Sequence, residues 1–188
     1  MKRPQLKICG VNDAVFARAA EKLGADYLGL IFAEGSPRQV TPERASAILS
    51  GLVGTAKPVG VFTTAPAAEI AALCRDLGIK IVQLHRRASS ADVDYLRSRG
   101  FTVWTLAGGA AADACLFDSS HGDGETDLRK LSVPVVLAGG ISSENLREAV
   151  LSGADILDVS GSLESSRGVK SMAKLEAFFR TFDALGVD

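Results

Sequence analysis

Short apolar runs alternate with stretches of helical period along the whole chain. The runs predict strands over Leu6 to Cys9, Tyr27 to Phe32, Pro58 to Phe62, Ile79 to Leu84, Thr102 to Leu106, Ala114 to Phe117, Val135 to Leu137 and Ile156 to Val159. Between them, apolar positions at helical spacing predict helices at about Asp13 to Leu23, Pro42 to Leu49, Ala65 to Leu77, Ala91 to Arg99, Ser143 to Ser152 and Lys174 to Leu185. Strands without a polar face, separated by amphipathic helices, are the pattern of a parallel sheet built from crossover units.

The punctuation gives the number of units. Gly24, Gly78, Gly100 and Gly153 each follow a helical stretch and precede a strand, where a left-handed residue ends a helix. They are separated by two, one and two repeats of a unit one eighth of the chain long. Lys22-Leu23-Gly24-Ala25-Asp26 and Leu151-Ser152-Gly153-Ala154-Asp155 are near copies of one junction. Eight such units predict an α/β fold, a single compact (β/α)8 TIM barrel spanning residues 1–188. At 188 residues the chain is short for that fold, so some helices must be abbreviated. The notable economy lies after strand five, where the small residues from Ala107 to Asp113 cannot hold a crossover helix. An open doubly wound sheet is the alternative, but no G-x-G-x-x-G follows the first strand to support it.

Composition narrows the partners. Hydrophobic residues make up 47% of the chain, enough for a substantial core, and 21 basic against 22 acidic side chains leave a net charge of -1. The charges are not in blocks, which speaks against nucleic acid or an anionic membrane as a partner. No apolar run is long enough to span a bilayer, and Met1 to Gln5 lacks the apolar core of a signal peptide. Three unspaced cysteines form neither a disulfide framework nor a metal motif, so a cytoplasmic protein acting on a small molecule is expected. Nothing in the pattern indicates an oligomeric state.

In a barrel the chemistry sits at the C-terminal ends of the strands. Cys9 ends the first strand with Gly10 behind it, a placement that presents a nucleophile or base, whereas Cys74 and Cys115 lie inside apolar patterns and read as core. Asp118 exits the sixth strand, where a carboxyl suits a general acid, and His85 exits the fourth. Gly139-Gly140 and Ser160-Gly161-Ser162 follow strands seven and eight, this fold's recurrent phosphate site, with two hydroxyls as added donors. Arg38, after strand two, can hold a carboxylate in its fork. These residues suggest a ligand with a phosphate at one end and another anion at the other.

In this order the motifs resemble the phosphoribosylanthranilate isomerase family. The likeness runs from Lys7 to about Lys170 through Lys7-Ile8-Cys9-Gly10, Gly24 to Phe32, Ser36-Pro37-Arg38, Val59-Gly60-Val61-Phe62, Val82-Gln83-Leu84-His85, Leu116-Phe117-Asp118, Leu137-Ala138-Gly139-Gly140 and Asp158-Val159-Ser160. The resemblance implies an Amadori rearrangement that needs no metal or other cofactor. It implies Asp118 as the general acid on the ring oxygen and Cys9 as the base at C2. Arg38 would hold the anthranilate carboxylate, His85 would contact the substrate, and Gly139, Gly140, Ser160 and Gly161 would bind the phosphate. Cys9 and Asp118 should then face each other across the barrel mouth.

The departures from the family pattern cluster. Arg86 replaces the glycine usual after the histidine, and Ser160-Gly161-Ser162 and Arg167-Gly168 replace Ser-Ser-Gly and Pro-Gly. His121 to Leu128 replaces a glycine-rich loop and brings added acids near an anionic substrate, which weaken binding unless they point to solvent. A phosphosugar barrel acting on another aminosugar, or a non-catalytic paralogue that binds a phosphorylated ligand, are the alternative readings.

Overall fold

A computed structural model describes residues 3–118 and 132–186. The strands are β1 (Gln5–Cys9), β2 (Tyr27–Ile31), β3 (Lys57–Phe62), β4 (Ile81–Leu84), β5 (Thr102–Leu106), β6 (Ala114–Asp118), β7 (Val135–Ala138) and β8 (Ile156–Val159). The helices are α1 (Ala14–Lys22), α2 (Pro42–Leu49), α3 (Ala67–Asp76), α4 (Ser90–Ser98), α5 (Leu146–Leu151) and α6 (Met172–Ala184). All eight strands run parallel in sequence order. The first closes onto the last, with Lys7 aligned on Asp158 and Ile8 on Val159. Closure removes the open doubly wound alternative, and the barrel is the (β/α)8 fold that the unit spacing predicts. The acidic segment from Ser119 to Asp127 lies outside the described residues.

Alternation along each strand divides the core in two. Inward residues such as Val59, Val61, Leu116, Val136 and Ile156 fill the barrel, with Tyr27 and Trp104 crossing edge to face at 5.1 Å between ring centroids. Outward residues such as Leu6, Ile8, Leu28 and Val82 pack against the helices. Helix α6 buries Phe178, Phe179 and Phe182, a contribution of about 1.5–3 kcal/mol for each ring. Side chains of Asp13, Thr41, Ser89 and Ser171 cap α1, α2, α4 and α6 by accepting from main-chain N–H groups. Between β5 and β6 the described chain contains no helix, as its small residues require.

The four punctuating glycines all take positive φ, 102° at Gly24 and 86° at Gly153 in the repeated junction. The aspartate two positions after each of these two glycines has a job at the foot of the barrel. Asp26, before β2, accepts the Leu6 N–H of β1 at 2.8 Å, and Asp155, before β8, accepts the Val135 N–H of β7 at 3.0 Å. Asp113, before β6, does the same for Val103 of β5 at 2.7 Å. Two further strands, β9 (Glu164–Ser166) and β10 (Val169–Lys170), form an antiparallel ribbon after a 3-10 turn at Gly161–Leu163. This ribbon brings Glu164 and Lys170 back towards the mouth. Among the described residues no helix is long and apolar enough to cross a membrane.

Candidate active site

A cavity of about 410 Å³ opens at the C-terminal ends of the strands. Cys9, Arg38, His85, Asp118, Gly139, Gly140, Ser160 and Gly161 all line it. The structure thus gathers into one place every residue that the sequence singles out for chemistry.

Cys9 reaches the cavity floor from the tip of β1 and is 7% exposed. Its neighbour in register on β2 is Gly29, and a Cβ there would lie 2.8 Å from Cys9 Sγ. Gly10 turns with φ 70°, and a Cβ there would meet the Arg38 side chain at 2.5 Å. Both glycines are therefore fixed by close approach, one to the sulfur and one to the guanidinium stem. Burial pushes the Cys9 thiol up, and the charge of Asp158 adds to that, while Lys7 and Lys170 oppose it.

Asp118 ends β6 and is largely buried. The His85 Nε2 lies 3.5 Å from its Oδ2, and the other ring nitrogen, Nδ1, stands 3.3 Å from the amide nitrogen of Gln83. With its ring proton on Nε2 the imidazole donates towards the carboxyl and accepts at Nδ1 from the Gln83 amide. His85 is thereby aimed at Asp118 as well as at the cavity.

The loops after β7 and β8 are tied together and to β1. Gly139 and Gly140 take φ values of 92° and 65°. Ser162 Oγ donates to the Ile141 carbonyl at 2.6 Å, and Ser160 Oγ donates to the Cys9 carbonyl at 3.0 Å. The two hydroxyls expected as anion donors therefore spend their protons on main-chain carbonyls.

Several groups at the mouth carry no assignment from the sequence. Glu164 receives the Arg38 fork, the Gly168 N–H at 3.0 Å and a contact from Lys170 Nζ at 3.3 Å. Its own burial would raise its carboxyl, but these donors outweigh it and hold the group at about 2. Beneath Cys9, Lys7 is fully buried and its Nζ meets Asp158 Oδ2 at 2.6 Å. Gln83 Oε1 and Asp158 Oδ1 are buried without a hydrogen-bond partner among the described residues, and both side chains line the cavity. Lysine in an otherwise apolar strand, two residues before a cysteine, is the one local signal that pointed to Lys7. The pairings across the mouth had none.

Fold and site together define a (β/α)8 barrel whose catalytic face holds a thiol and a carboxyl over one cavity. The profile of the N-(5'-phosphoribosyl)anthranilate (PRA) isomerase family matches residues 6–181. The N-(5'-phosphoribosyl)anthranilate isomerase of Neisseria meningitidis is 35% identical over 206 aligned positions, covering 98% of this chain and 99% of that protein. The crystal structure of the Thermus thermophilus phosphoribosyl anthranilate isomerase superposes with a TM-score of 0.85 at 33% identity, covering 96% of this chain and 99% of that one. A further isomerase of this name, solved in complex with reduced 1-(o-carboxyphenylamino)-1-deoxyribulose 5-phosphate, has the same fold with a TM-score of 0.82 at 24% identity, over 96% and 99% of the two chains. The chain belongs to the N-(5'-phosphoribosyl)anthranilate isomerase family.

Proposed function

We propose that this chain converts N-(5-phosphoribosyl)anthranilate, an aminoaldose, into 1-(2-carboxyphenylamino)-1-deoxyribulose 5-phosphate in tryptophan biosynthesis, by an Amadori rearrangement with Asp118 as acid and Cys9 as base. The observation that carries this reading is the meeting of these two side chains, from β6 and β1, on one cavity at the catalytic face. Asp118 gives its proton to the ring oxygen as the C1–O bond breaks and the anilino nitrogen pushes its electron pair into a C1=N iminium. The iminium acidifies the C2 proton. The Cys9 thiolate takes that proton, the C–H electron pair becomes the C1=C2 bond of an enolamine, and proton transfer from the 2-hydroxyl to C1 yields the ketone. The sum is an isomerisation, so no external oxidant or reductant is consumed.

The remaining groups place the substrate. Arg38 takes the anthranilate carboxylate, His85 orients Asp118 and contacts the sugar, and the main chain around Gly139, Gly140, Ser160 and Gly161 holds the phosphate. The complex of the related isomerase with a reduced deoxyribulose 5-phosphate supports a phosphorylated ligand here. Three free thiols suit a reducing cytoplasm.

The test follows the fluorescence of phosphoribosylanthranilate with the wild-type, Cys9→Ser and Asp118→Asn proteins. Turnover by the wild type and its loss in both variants is the expected result. A wild type that binds a product analogue without turnover refutes the reading, and full activity in Asp118→Asn refutes the acid assignment.

A further inference from the structure

We infer that Lys7 and Asp158 are a positioning pair for Cys9: from beneath the cavity floor, Lys7 favours the thiolate and Asp158 opposes it. The inference rests on Cys9 being the base of the proposed reaction.

Lysine is among the residues least often buried, and Lys7 has no exposed surface at all. Its position follows from the strand. Alternation points Lys7 and Cys9 into the barrel on the same face of β1, while Leu6 and Ile8 point out to the helices. Closure of the barrel sets Lys7 directly opposite Asp158 of β8, and their side chains meet at 2.6 Å. Stability alone gives no reason for charges there, since apolar residues of similar volume are often as good as a buried ion pair or better.

The pair is built asymmetrically. Lys7 donates to Asp158, and two positions along the same face of β1 its charge also acts on the Cys9 sulfur. Asp158 uses one oxygen on Lys7, and its other oxygen is buried with no hydrogen-bond partner among the described residues. Other charged groups are arranged around the sulfur. Lys170 of β10 and Arg38 of the loop after β2 both act on Cys9, and both are engaged by Glu164. Asp118 of β6 and His85 of β4 line the same cavity. Strand β2, packed against β1 on the other side, offers Gly29 in register with Cys9 and hence no charge. Lys7 is the fully buried cation on the face of β1 that also carries Cys9, and its charge opposes the burial and the Asp158 charge that push the thiol up.

The experiment measures the rate of Cys9 alkylation by iodoacetamide against pH in the whole protein without substrate. Mass spectrometry resolves the site, and Cys9→Ser serves as the blank. In Lys7→Gln the midpoint moves to higher pH by about one unit, so that alkylation below it slows roughly tenfold. Lys7→Arg keeps the midpoint near that of the wild type. In Asp158→Asn the midpoint moves to lower pH. Opposite displacements from the two halves of one ion pair are what a purely structural role does not produce. Midpoints that stay put, or that move in the same direction, overturn the inference. Should Lys7→Gln not fold, Asp158→Asn decides alone, a fall supporting the inference and a rise or no change overturning it. Because alkylation needs no turnover, the result is separable from the proposed reaction, which fails instead if Cys9→Ser keeps full isomerase activity.

Discussion

Arg38 and Glu164, 126 positions apart in the chain, meet at the cavity as a two-pronged pair, with the Arg38 NH2 group donating to Glu164 Oε2 at 2.9 Å and Nε donating to Oε1. A guanidinium has five N–H donors. Glu164 occupies one edge and fixes the plane, so a ligand carboxylate is left the remaining edge. Orientation of Arg38 is therefore delegated to a residue on the ribbon after β8.

Replacing Glu164 by Gln leaves the bulk in place and removes the charge that holds the fork. Steady-state kinetics on phosphoribosylanthranilate should show KM raised by roughly tenfold, with kcat changed by less than about threefold, because ground-state placement is lost and not the acid or base. An unchanged KM would separate Arg38 from carboxylate binding.

The same carboxyl gives the fold a pH dependence. Held at about 2 in the folded chain against an ordinary value of 4.5, it takes up a proton more readily when unfolded, so acid favours unfolding. Its stabilisation is complete above about 4.5 and is lost as pH falls through that value towards 2, a loss of at most about 3 kcal/mol. Thermal melts between pH 7 and pH 2.5 should fall less steeply for Glu164→Gln than for the wild type. Parallel curves would contradict this.

Gly29→Ala tests the space around the sulfur. The added methyl would stand 2.8 Å from Cys9 Sγ and 3.1 Å from its Cα, and the Cα belongs to a paired strand that cannot easily retreat. The thiol is expected to swing away, costing at least about tenfold in kcat together with about 1–3 kcal/mol of stability. Retention of wild-type kcat would mean that the sulfur tolerates displacement.

Glu21 provides a control remote from the cavity. Its carboxylate accepts the successive N–H groups of Val53, Gly54, Thr55 and Ala56 at 2.8–3.1 Å, closing the turn between α2 and β3. Urea unfolding of Glu21→Gln should show about 1–3 kcal/mol less stability, with kcat/KM unaltered.

Local signals made the elements legible, and distance in sequence hid their pairings. Pro42 behind Thr41, and the apolar runs Thr102 to Leu106 and Ile156 to Val159, mark their elements to the residue. Ile79 reads as the start of a strand, yet its N–H closes the end of α3 on the Cys74 carbonyl and β4 begins at Ile81. Helix α5 starts at Leu146 and not at Ser143, because Asn145 Oδ1 accepts the Ser142 N–H and its amide donates to the Gly140 carbonyl, folding those residues into a turn. At the mouth, Cys9, Asp118, His85 and the glycine loops stand out because each follows a strand. Lys7 with Asp158 and Arg38 with Glu164 do not, since only closure of the barrel makes them neighbours.

The aspartates at positions 26, 113 and 155 each lace one strand to the one before it, and all three do so at the end of the barrel opposite the cavity. Register is thus written at the foot, at the far end of the strands from Cys9 and Asp118. Exchange of side chains or whole loops at the mouth leaves this lacing untouched, so the barrel behaves as a chassis on which a new pocket can be installed while the strands stay aligned.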